Sequence, residues 1–308
     1  MAYSALVNDL RQIIDNAKVR VASTANYELT MMYWHIGERI NRDVLGNKRA
    51  EYSKQIVATL SRQLWWSHFV EVIPLKEELQ REFYLTMAYS QRWGVRRLRK
   101  EIDGMLFERT AIAQKPDELI KQELAELRDD NKMSPDLVFK SPYFLAFTGL
   151  KGYYSEKSLE DSLVANLEQF ILELGNGFTF VERQKRIIID GEDFYLDLLF
   201  FHRKLHRLIA IDLKLGRFKA QYKGQMELYL RWLEAHETEP GEESPLGLLL
   251  CTEGGEEQIE LLQLDKSGIK VAKYMTELPP REVLMQQIKR SLEVSREFFD
   301  EKNNMRED

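Results

Sequence analysis

Two aspartates and a lysine lie inside two apolar runs, FYLDLLFF (194–201) and LIAIDLKL (208–215). Asp197 interrupts the first run, and Asp212 and Lys214 interrupt the second. An ionised side chain is costly to bury without a partner, so something must compensate these charges. Carboxylates and an amine in this setting can together bind a cation and act on an anionic substrate.

The spacing of the two runs predicts a β-hairpin with a four-residue loop at 203–206, a common hairpin length. Asp197 and Asp212 are equally far from this loop, so an antiparallel pairing places them opposite each other, with Cβ atoms roughly 5 Å apart. Lys214 follows Asp212 by two residues and therefore shares its face. The prediction depends on this register.

Two facing carboxylates repel each other, and a divalent cation between them would remove the conflict. Oxygen ligands favour Mg²⁺, Mn²⁺ or Ca²⁺ over zinc or copper, and Mg²⁺ keeps waters that a phosphate oxygen can replace. A lysine beside such a cation suits phosphate chemistry as a point charge, or as a base if its pKa is depressed. Metal-dependent chemistry on a phosphate follows as the prediction.

The segment LEDSLVANLEQFILEL (159–174) is predicted to be one helix whose apolar arc includes Glu160. An acid on an apolar face needs a partner, and the cation is the candidate that this position suggests. The alternative is that Glu160 lies in the first helical turn and stabilises the helix dipole from solvent.

Gln225 and Tyr229 lie one turn apart on a helix predicted over 219–234, so both could face the same site or pack against the core. Gln184 lies within a strand predicted over 178–189 and could reach the site or a phosphate.

The chain changes character near its middle. Residues 1 to about 130 show apolar positions at three- and four-residue spacing and are predicted to be helical, and prolines and glycines place a boundary at about 132–156. The second half predicts an α-β-β-β-α-β order, formed by residues 159–174, 178–189, 194–201, 208–215, 219–234 and 245–252, with a turn at 191–193 and a further strand at 268–275.

Composition excludes several classes of protein. Among 308 residues, 44% are hydrophobic and 31% are charged, which is typical of a globular protein. A single cysteine excludes an internal disulfide framework and favours the cytoplasm. No apolar run approaches about 18 residues, so no membrane span is expected.

Charge is distributed unevenly, although the formal net charge is −6. Residues 183–231 hold 11 Lys and Arg against 6 Asp and Glu, whereas residues 233–262 hold 9 Glu and no Lys or Arg. A basic face beside an acidic one suits directional docking of an anion, and two solvated surfaces of opposite charge explain the pattern equally well.

An acid followed on the next strand by Asp-x-Lys resembles the PD-(D/E)xK nuclease superfamily. Longer stretches are similar to the YhcG-type family of PDDEXK nucleases, namely LELGNGFTFVERQ (172–184), FYLDLLFFHRKLHRLIAIDLKLGRFKAQYKGQMELYL (194–230) and PLGLLLC (245–251). The N-terminal half resembles the helical, winged-helix-like domain of that family, through MYWHIGERI (32–40), YSKQIVATLSRQL (52–64), WSHFVEVIPLKEELQREFY (66–84), LRKEIDGMLFERTA (98–111) and KPDELIKQELAELRDD (115–130).

The resemblance implies an α+β (α/β) protein with three parts. These are an all-helical, winged-helix-like domain over 1–135, a restriction-endonuclease-like αβββαβ core over 150–280, and a C-terminal helix with a charged tail over 281–308. In the family a helical segment usually separates the SRQL-like stretch from the WSHF stretch. Here the two stretches run on directly, so the N-terminal domain is expected to be shortened.

The resemblance also implies a metal-dependent DNA endonuclease that uses Mg²⁺, with Mn²⁺ as an alternative. Asp197 and Asp212, with the Leu213 carbonyl, would bind the metal. Lys214 would be catalytic, by positioning or deprotonating a water or by stabilising the transition state. Glu160 would be the helix acid and Gln225 a supporting site residue, both counted with the catalytic set.

Several basic and amide side chains are predicted to contact the phosphates of a nucleic acid. They are Arg183, Gln184, Arg217, Lys219 and Lys223 around the motif, and Arg96 and Arg97 in the basic segment 91–101. For the basic segment a solvated helix face is the alternative.

Two other functions remain open at this point. The chain could be an inactive nucleic-acid-binding protein that keeps the nuclease fold, or a scaffold protein acting through its helical half. DNA and RNA are both open as the substrate, and a homodimer would supply two sites for cutting two strands.

Overall fold

The computed structural model describes residues 2–40, 59–61, 63–253 and 256–293, which fall into two compact units. The first unit comprises residues 1–107 and 124–131, and the second comprises 108–123 and 132–308. The predicted domain bounds of 1–135, 150–280 and 281–308 remain a proposal beside these units. Most of the 52–64 stretch and the tail at 294–308 lie outside the described residues.

Helices account for the regular structure up to residue 129. They are α1 (Ala2–Ile40), α2 (Trp66–Val72), α3 (Glu78–Gln91), α4 (Val95–Asp103), α5 (Leu106–Arg109) and α6 (Asp117–Asp129). Among the described residues before Tyr143 the sole β-type pairing is an isolated bridge from Thr110 to Lys140. The predicted helical character is confirmed, and a wing stays a prediction.

In the first unit, the described residues around 60–66 form the stretch where the sequence predicts a shortened domain. Leu60 and Leu64 are fully buried or nearly so in this stretch. The Asn26 amide donates to the Leu64 carbonyl at 2.5 Å, and the Tyr33 ring stacks on Trp66 with centroids 4.6 Å apart. These residues are therefore packed and hydrogen-bonded to α1, and the shortening stays a prediction.

The second unit is built on a six-stranded mixed sheet in the order β1-β6-β5-β4-β3-β2. The strands are β1 (Tyr143–Phe144), β2 (Phe178–Ile189), β3 (Glu192–His202), β4 (Arg207–Arg217), β5 (Leu246–Glu253) and β6 (Ile269–Met275). The pairs β2–β3 and β3–β4 are antiparallel, and the remaining pairs are parallel.

The helices of this unit are α7 (Glu156–Ala165), α8 (Leu167–Leu174), α9 (Gln221–His236) and α10 (Glu256–Leu261), and residues 281–293 are also helical. The predicted αβββαβ order is confirmed. The single helix predicted over 159–174 is wrong. Two helices meet at Asn166, whose side-chain amide donates to the Ser162 carbonyl at 2.9 Å. Asparagine side chains compete with helical hydrogen bonds in this way.

Two hairpins position the candidate site. The β3–β4 loop lies at 203–206 as predicted, and the pairing runs from His202–Arg207 to Leu198–Ile211. The predicted register is therefore confirmed. The β2–β3 turn is Asp190–Gly191, with φ of 53° and 82°, one residue before the predicted turn. An Asp-Gly pair suits a two-residue hairpin in which both residues have positive φ.

Side chains from α9 cover one part of the sheet through contacts with β4 and β5. Met226 packs so closely on Gly247 that a Cβ there would lie 2.6 Å from its Cγ, so a larger residue at this position would force the Met226 side chain to move. Elsewhere Phe170, Phe178 and Phe180 surround the buried Phe200 ring. Among the described residues, no helix has both the length and the apolar character that crossing a membrane requires.

Candidate active site

The two aspartates lie at the centre of the sheet. The hairpin register pairs Leu198 with Ile211, and one further step along both strands brings Asp197 opposite Asp212. The Asp212 side chain is buried, with the residue 2% exposed. The Leu213 amide donates to Asp197 Oδ2 at 2.8 Å, so the Asp197 carboxylate reaches across to β4.

Lys214 forms an ion pair with this acid site, because its Nζ lies 2.8 Å from Asp212 Oδ2. The same ammonium lies 5.4 Å from the centre of the Tyr222 ring on α9. Burial lowers the pKa of Lys214, and the charges of Asp212 and Asp197 more than reverse this, so its pKa is raised overall. The arrangement favours a charged lysine over a neutral base.

The acid pair carries more negative charge than Lys214 balances. Burial, followed by repulsion from Asp212, raises the pKa of Asp197 to about 7. A divalent cation between the carboxylates would keep both ionised, and two carboxylates with waters are a usual donor set for Mg²⁺. The residues therefore fit Mg²⁺ or Mn²⁺.

Protein ligands around this pair are few. Within the described parts of the chain, no group of three or more His, Cys, Asp or Glu side chains is placed to hold a metal. The Leu213 carbonyl was predicted as a ligand, and that role stays a prediction, while its amide holds Asp197. A cation here would keep open positions for water and phosphate.

Glu160 on α7 is buried, at 5% exposure, and has two side-chain partners. Arg183 Nε donates to its Oε1 at 2.5 Å, and Gln184 Nε2 donates to its Oε2 at 2.6 Å. Gln184 Nε2 also lies 3.1 Å from Asp197 Oδ1. The sequence suggested a metal ion as the partner of Glu160, whereas its partners in the structure are Arg183 and Gln184. Glu160 is linked to the acid pair through Gln184.

Gln184 has an unusual backbone for a residue within a strand, with φ of 49°. Arg183 contacts Glu160 on α7, whereas Lys185 lies over the Trp232 ring of α9 and pairs with Glu237 at 2.9 Å. Residues two apart on a regular strand share a face. The left-handed residue between them turns β2 so that they reach different helices.

Gln225 and Tyr229 lie on α9 beside the acids. Gln225 Nε2 donates to the Tyr229 hydroxyl at 2.6 Å, and that hydroxyl donates to the Tyr195 carbonyl at 3.2 Å. Burial raises the pKa of Tyr229, and the nearby charges of Asp212 and Asp197 add to this effect. The sequence had predicted that these two side chains could face the site.

Of the side chains predicted to contact nucleic acid, some are paired with other groups of the protein and others are exposed. Arg183 is held by Glu160 and Asp161, Lys223 by Glu227 and the Leu262 carbonyl, and Arg97 by Glu101. The exposed ones are Arg217, Lys219 and Arg96. Arg96 and Arg97 belong to α4 of the first unit, and the others belong to the second unit.

Glu156 and Thr252 were missed by sequence reasoning. Glu156 Oε1 accepts from the Leu215 amide at 2.9 Å, and Thr252 Oγ1 accepts from the Gly216 amide at 2.8 Å. They satisfy backbone donors where the β4–β5 register shifts, directly after Lys214. Gly216 lies just beyond the predicted strand 208–215 and inside the observed one, where a glycine often marks such a bulge, and nothing in the sequence singles out Glu156.

Comparison with known proteins identifies two family matches. Residues 136–293 match the YhcG PDDEXK nuclease domain. Residues 9–65 and 59–109 match the DUF1016 N-terminal domain in two pieces. The break between these pieces coincides with the stretch where the sequence predicted a missing segment.

A curated relative is the protein named "Putative nuclease YhcG" of Escherichia coli (strain K12). It is 34% identical over 247 residues, which cover 80% of this chain and 65% of the relative. The chain thus spans slightly less than two thirds of the length of that relative.

Solved structures resemble the chain weakly. A repair endonuclease from Pyrococcus abyssi is 20% identical, with a TM-score of 0.30 over 42% of this chain and 50% of that chain. EndoMS in the EndoMS-dsDNA2 complex is 18% identical, with a TM-score of 0.31 over 42% of this chain and 49% of that chain. Likeness at this level adds nothing to the assignment of the site.

The matched nuclease domain contains all four residues of the predicted motif, Glu160, Asp197, Asp212 and Lys214. The domain match and the identity to the Escherichia coli relative show that this chain belongs to the YhcG PDDEXK nuclease domain family.

Proposed function

We propose that the protein is a metal-dependent endonuclease that hydrolyses phosphodiester bonds in DNA. The observation that carries the proposal is the Asp197–Asp212 pair, in which Asp212 is buried and Asp197 half-buried, with Lys214 Nζ 2.8 Å from Asp212 Oδ2 inside a matched nuclease domain. In a protein that only binds nucleic acid, or that has only a structural role, opposed and incompletely balanced acids would have no function, and each costs stability.

Asp197 and Asp212 would hold Mg²⁺, with Mn²⁺ as an alternative and the Leu213 carbonyl as a further ligand. A bound cation of this kind supplies a water of lowered pKa and offsets charge on the scissile phosphate. The hydrogen bond from the Leu213 amide orients Asp197 for this role. Gln184 fixes the other oxygen of the same carboxylate.

Lys214 would act through its charge. Asp212 keeps its ammonium protonated and directed at the acid site, where it can contact a phosphate oxygen and stabilise the negative charge of the transition state. Gln225 supports the site from α9 by donating to Tyr229. Glu160 acts as the third acid, linked to the pair through Gln184.

DNA would be bound chiefly by exposed cations. Arg217 and Lys219 follow the motif directly, are exposed, and form no ion pair with a carboxylate among the described residues, so they suit phosphates flanking the cleaved bond. Arg96 offers a further contact on the helical unit. Arg183, Lys223 and Arg97 would first have to leave the groups that hold them.

A cleavage assay tests the proposal. Purified protein is incubated with labelled linear, nicked and branched DNA, and with RNA, in Mg²⁺, Mn²⁺ or EDTA. Asp212→Asn and Lys214→Ala are compared with Asp193→Asn, a control on the same sheet whose carboxylate pairs with Arg186 in solvent. We expect metal-dependent cleavage of DNA by wild type and the control, and none by the two site variants.

Failure of every substrate to be cut would overturn the proposal. DNA binding without cleavage would indicate a nucleic-acid-binding protein of nuclease fold, an alternative favoured by the family match in two pieces over the N-terminal half. Absence of nucleic-acid binding would indicate a scaffold protein. The cytoplasmic location and the homodimer stay predictions, which cell fractionation and sedimentation velocity test.

A further inference from the structure

Gln184 adopts a conformation that is uncommon for its residue type. Among the described residues, the other non-glycine residues with positive φ lie in turns, loops or at helix ends, whereas Gln184 lies inside a strand. A non-glycine residue in the left-handed region is strained unless its surroundings compensate it. Such strain, directly beside the acids, calls for a function.

The strained backbone directs one amide group at two acids. Gln184 Nε2 donates to Glu160 Oε2 on α7 at 2.6 Å and to Asp197 Oδ1 on β3 at 3.1 Å. The second oxygen of Asp197 accepts from the Leu213 amide. The Asp197 carboxylate is therefore held at both oxygens, and one of the two donors is Gln184.

An amide suits this position better than a cationic side chain. A lysine or arginine would neutralise Asp197 and compete with a metal ion for it, whereas an amide donates hydrogen bonds and carries no charge. Positive charge is kept one residue away on each side. Arg183 binds Glu160, and Lys185 binds Glu237.

We propose that Gln184 is a positioning residue: its strained backbone aims the amide so that Glu160 and Asp197 are tied together and the metal-binding carboxylate is held in one orientation. This replaces the phosphate contact predicted from the sequence. The inference rests on the proposed nuclease function for its kinetic consequences and on geometry alone for its effect on metal binding.

Two variants separate the amide from the strain. Gln184→Gly removes both, and Gln184→Met keeps a side chain of similar length at the strained backbone but removes the donor. Asp190→Gly is the matched control, because Asp190 has φ of 53° in the turn that ends β2. This control makes the same change to glycine at a positive φ and leaves the acids untouched.

Calorimetric titration with Mn²⁺ and thermal unfolding give readouts that need no cleavage. We expect both Gln184 variants to bind Mn²⁺ at least fivefold more weakly than wild type. Both Gln184 variants lose the amide hydrogen bonds and should melt below wild type, and Gln184→Gly should melt above Gln184→Met, because glycine adopts a positive φ without strain. Asp190→Gly should keep the wild-type Mn²⁺ affinity and a melting temperature close to that of wild type, because Asp-Gly already suits this turn.

Kinetics distinguish a positioning role from a phosphate contact. The proposal expects kcat to fall at least tenfold in Gln184→Gly with KM for DNA within twofold of wild type. A rise in KM with unchanged kcat would overturn it in favour of a phosphate contact. Mn²⁺ affinity within twofold of wild type, or a melting temperature of Gln184→Gly no higher than that of Gln184→Met, would also overturn it.

The inference and the proposed function can fail separately. If wild type binds Mn²⁺ and cuts no nucleic acid, the nuclease proposal fails and the Mn²⁺ affinities of the variants still decide the role of Gln184. If wild type binds no Mn²⁺, both fail.

Discussion

The second unit buries charge at two places, and the two places are balanced differently. At the first, Glu173 Oε1 accepts from Arg109 at 2.7 Å and from the Phe144 amide at 3.0 Å, and Lys140 donates to the Glu173 carbonyl. Arg109 and Lys140 are both almost fully buried. One acid is thus surrounded by two fixed cations.

At the second place, the Asp197–Asp212 pair has one cation within ion-pair distance among the described residues, Lys214. The pKa values reflect the difference. Burial raises the pKa of Glu173, but Lys140 and Arg109 more than reverse this and hold it below the usual value, whereas the pKa of Asp197 rises to about 7.

Buried charge therefore has two roles in this fold, which differ in how completely the charge is balanced by neighbouring side chains. The Glu173 cluster is complete without any ligand and ties residues 109, 140, 144 and 173 together. The Asp197–Asp212 pair is incomplete and is relieved by a cation. The first is expected to govern stability and the second activity.

The largest contrast is expected between two lysines. Lys214→Ala should lower kcat by about 10²–10³-fold, because a preorganised charge is lost from the transition state. Lys140→Ala should lower the free energy of unfolding by about 2 kcal/mol and leave kcat per folded molecule unchanged. Single-turnover cleavage and urea unfolding measure both variants. Equal effects of the two substitutions on kcat would contradict the assignment of Lys214 to activity and of Lys140 to stability.

Removing the central acid of the first cluster should cost the fold more stability than removing Lys140. Glu173→Gln leaves Arg109 and Lys140 buried without their counter-charge, and we expect about 3 kcal/mol of lost stability. Urea unfolding at neutral pH measures the loss, with the exposed Glu118→Gln, whose pair with Lys121 is a surface contact on α6, as control. A loss no larger than that of the control would show that the cluster is not structural.

The pH dependence of stability should have opposite signs at the two places. Because the pKa of Glu173 is lowered in the folded protein, its ionisation contributes stability at pH values above its ordinary pKa of 4.5. This stability is lost as the pH falls through the folded pKa. A raised pKa at Asp197 contributes stability at low pH, which is lost as pH rises from about 4 to about 7.

Mg²⁺ should restore the stability that the acid pair loses at higher pH. Melting temperatures measured from pH 5 to 8 should therefore separate, with Mg²⁺ above EDTA by several degrees at pH 8 and by little at pH 5. Asp212→Asn should abolish that separation. A Mg²⁺ effect that is equal at both pH values would contradict the assignment.

The smallest effects are expected from single phosphate contacts. Lys219→Ala should weaken DNA binding uniformly across sequences by about 1 kcal/mol and reduce the salt slope by about 1. Lys223→Ala is the comparison, because Lys223 already pairs with Glu227 and the Leu262 carbonyl and should change binding less. Fluorescence anisotropy across salt concentrations measures both.

The hairpin could be predicted from the sequence because its evidence is local. Alternating apolar residues and a short loop fix the register, and the register alone places Asp197 opposite Asp212. The turn before β3 was misplaced by one residue because the Asp190–Gly191 signal was not used. The break at Asn166 was missed because the apolar spacing continues across it.

The surroundings of the acids depended on contacts between distant segments, which no local pattern encodes. The partners of Glu160 come from β2, and Glu156 reaches the backbone after Lys214 only because β4 bulges there. The positive φ of Gln184 had no signal, since glutamine has no preference for that region.

The most direct test of the account is calorimetric titration of Mn²⁺ at pH 8 into wild type, Asp212→Asn and Glu173→Gln, each under conditions where it is folded. The account predicts that wild type and Glu173→Gln bind Mn²⁺ with similar affinity and that Asp212→Asn does not bind it measurably. Binding by Asp212→Asn with wild-type affinity would contradict the claim that the incomplete acid pair is a metal site.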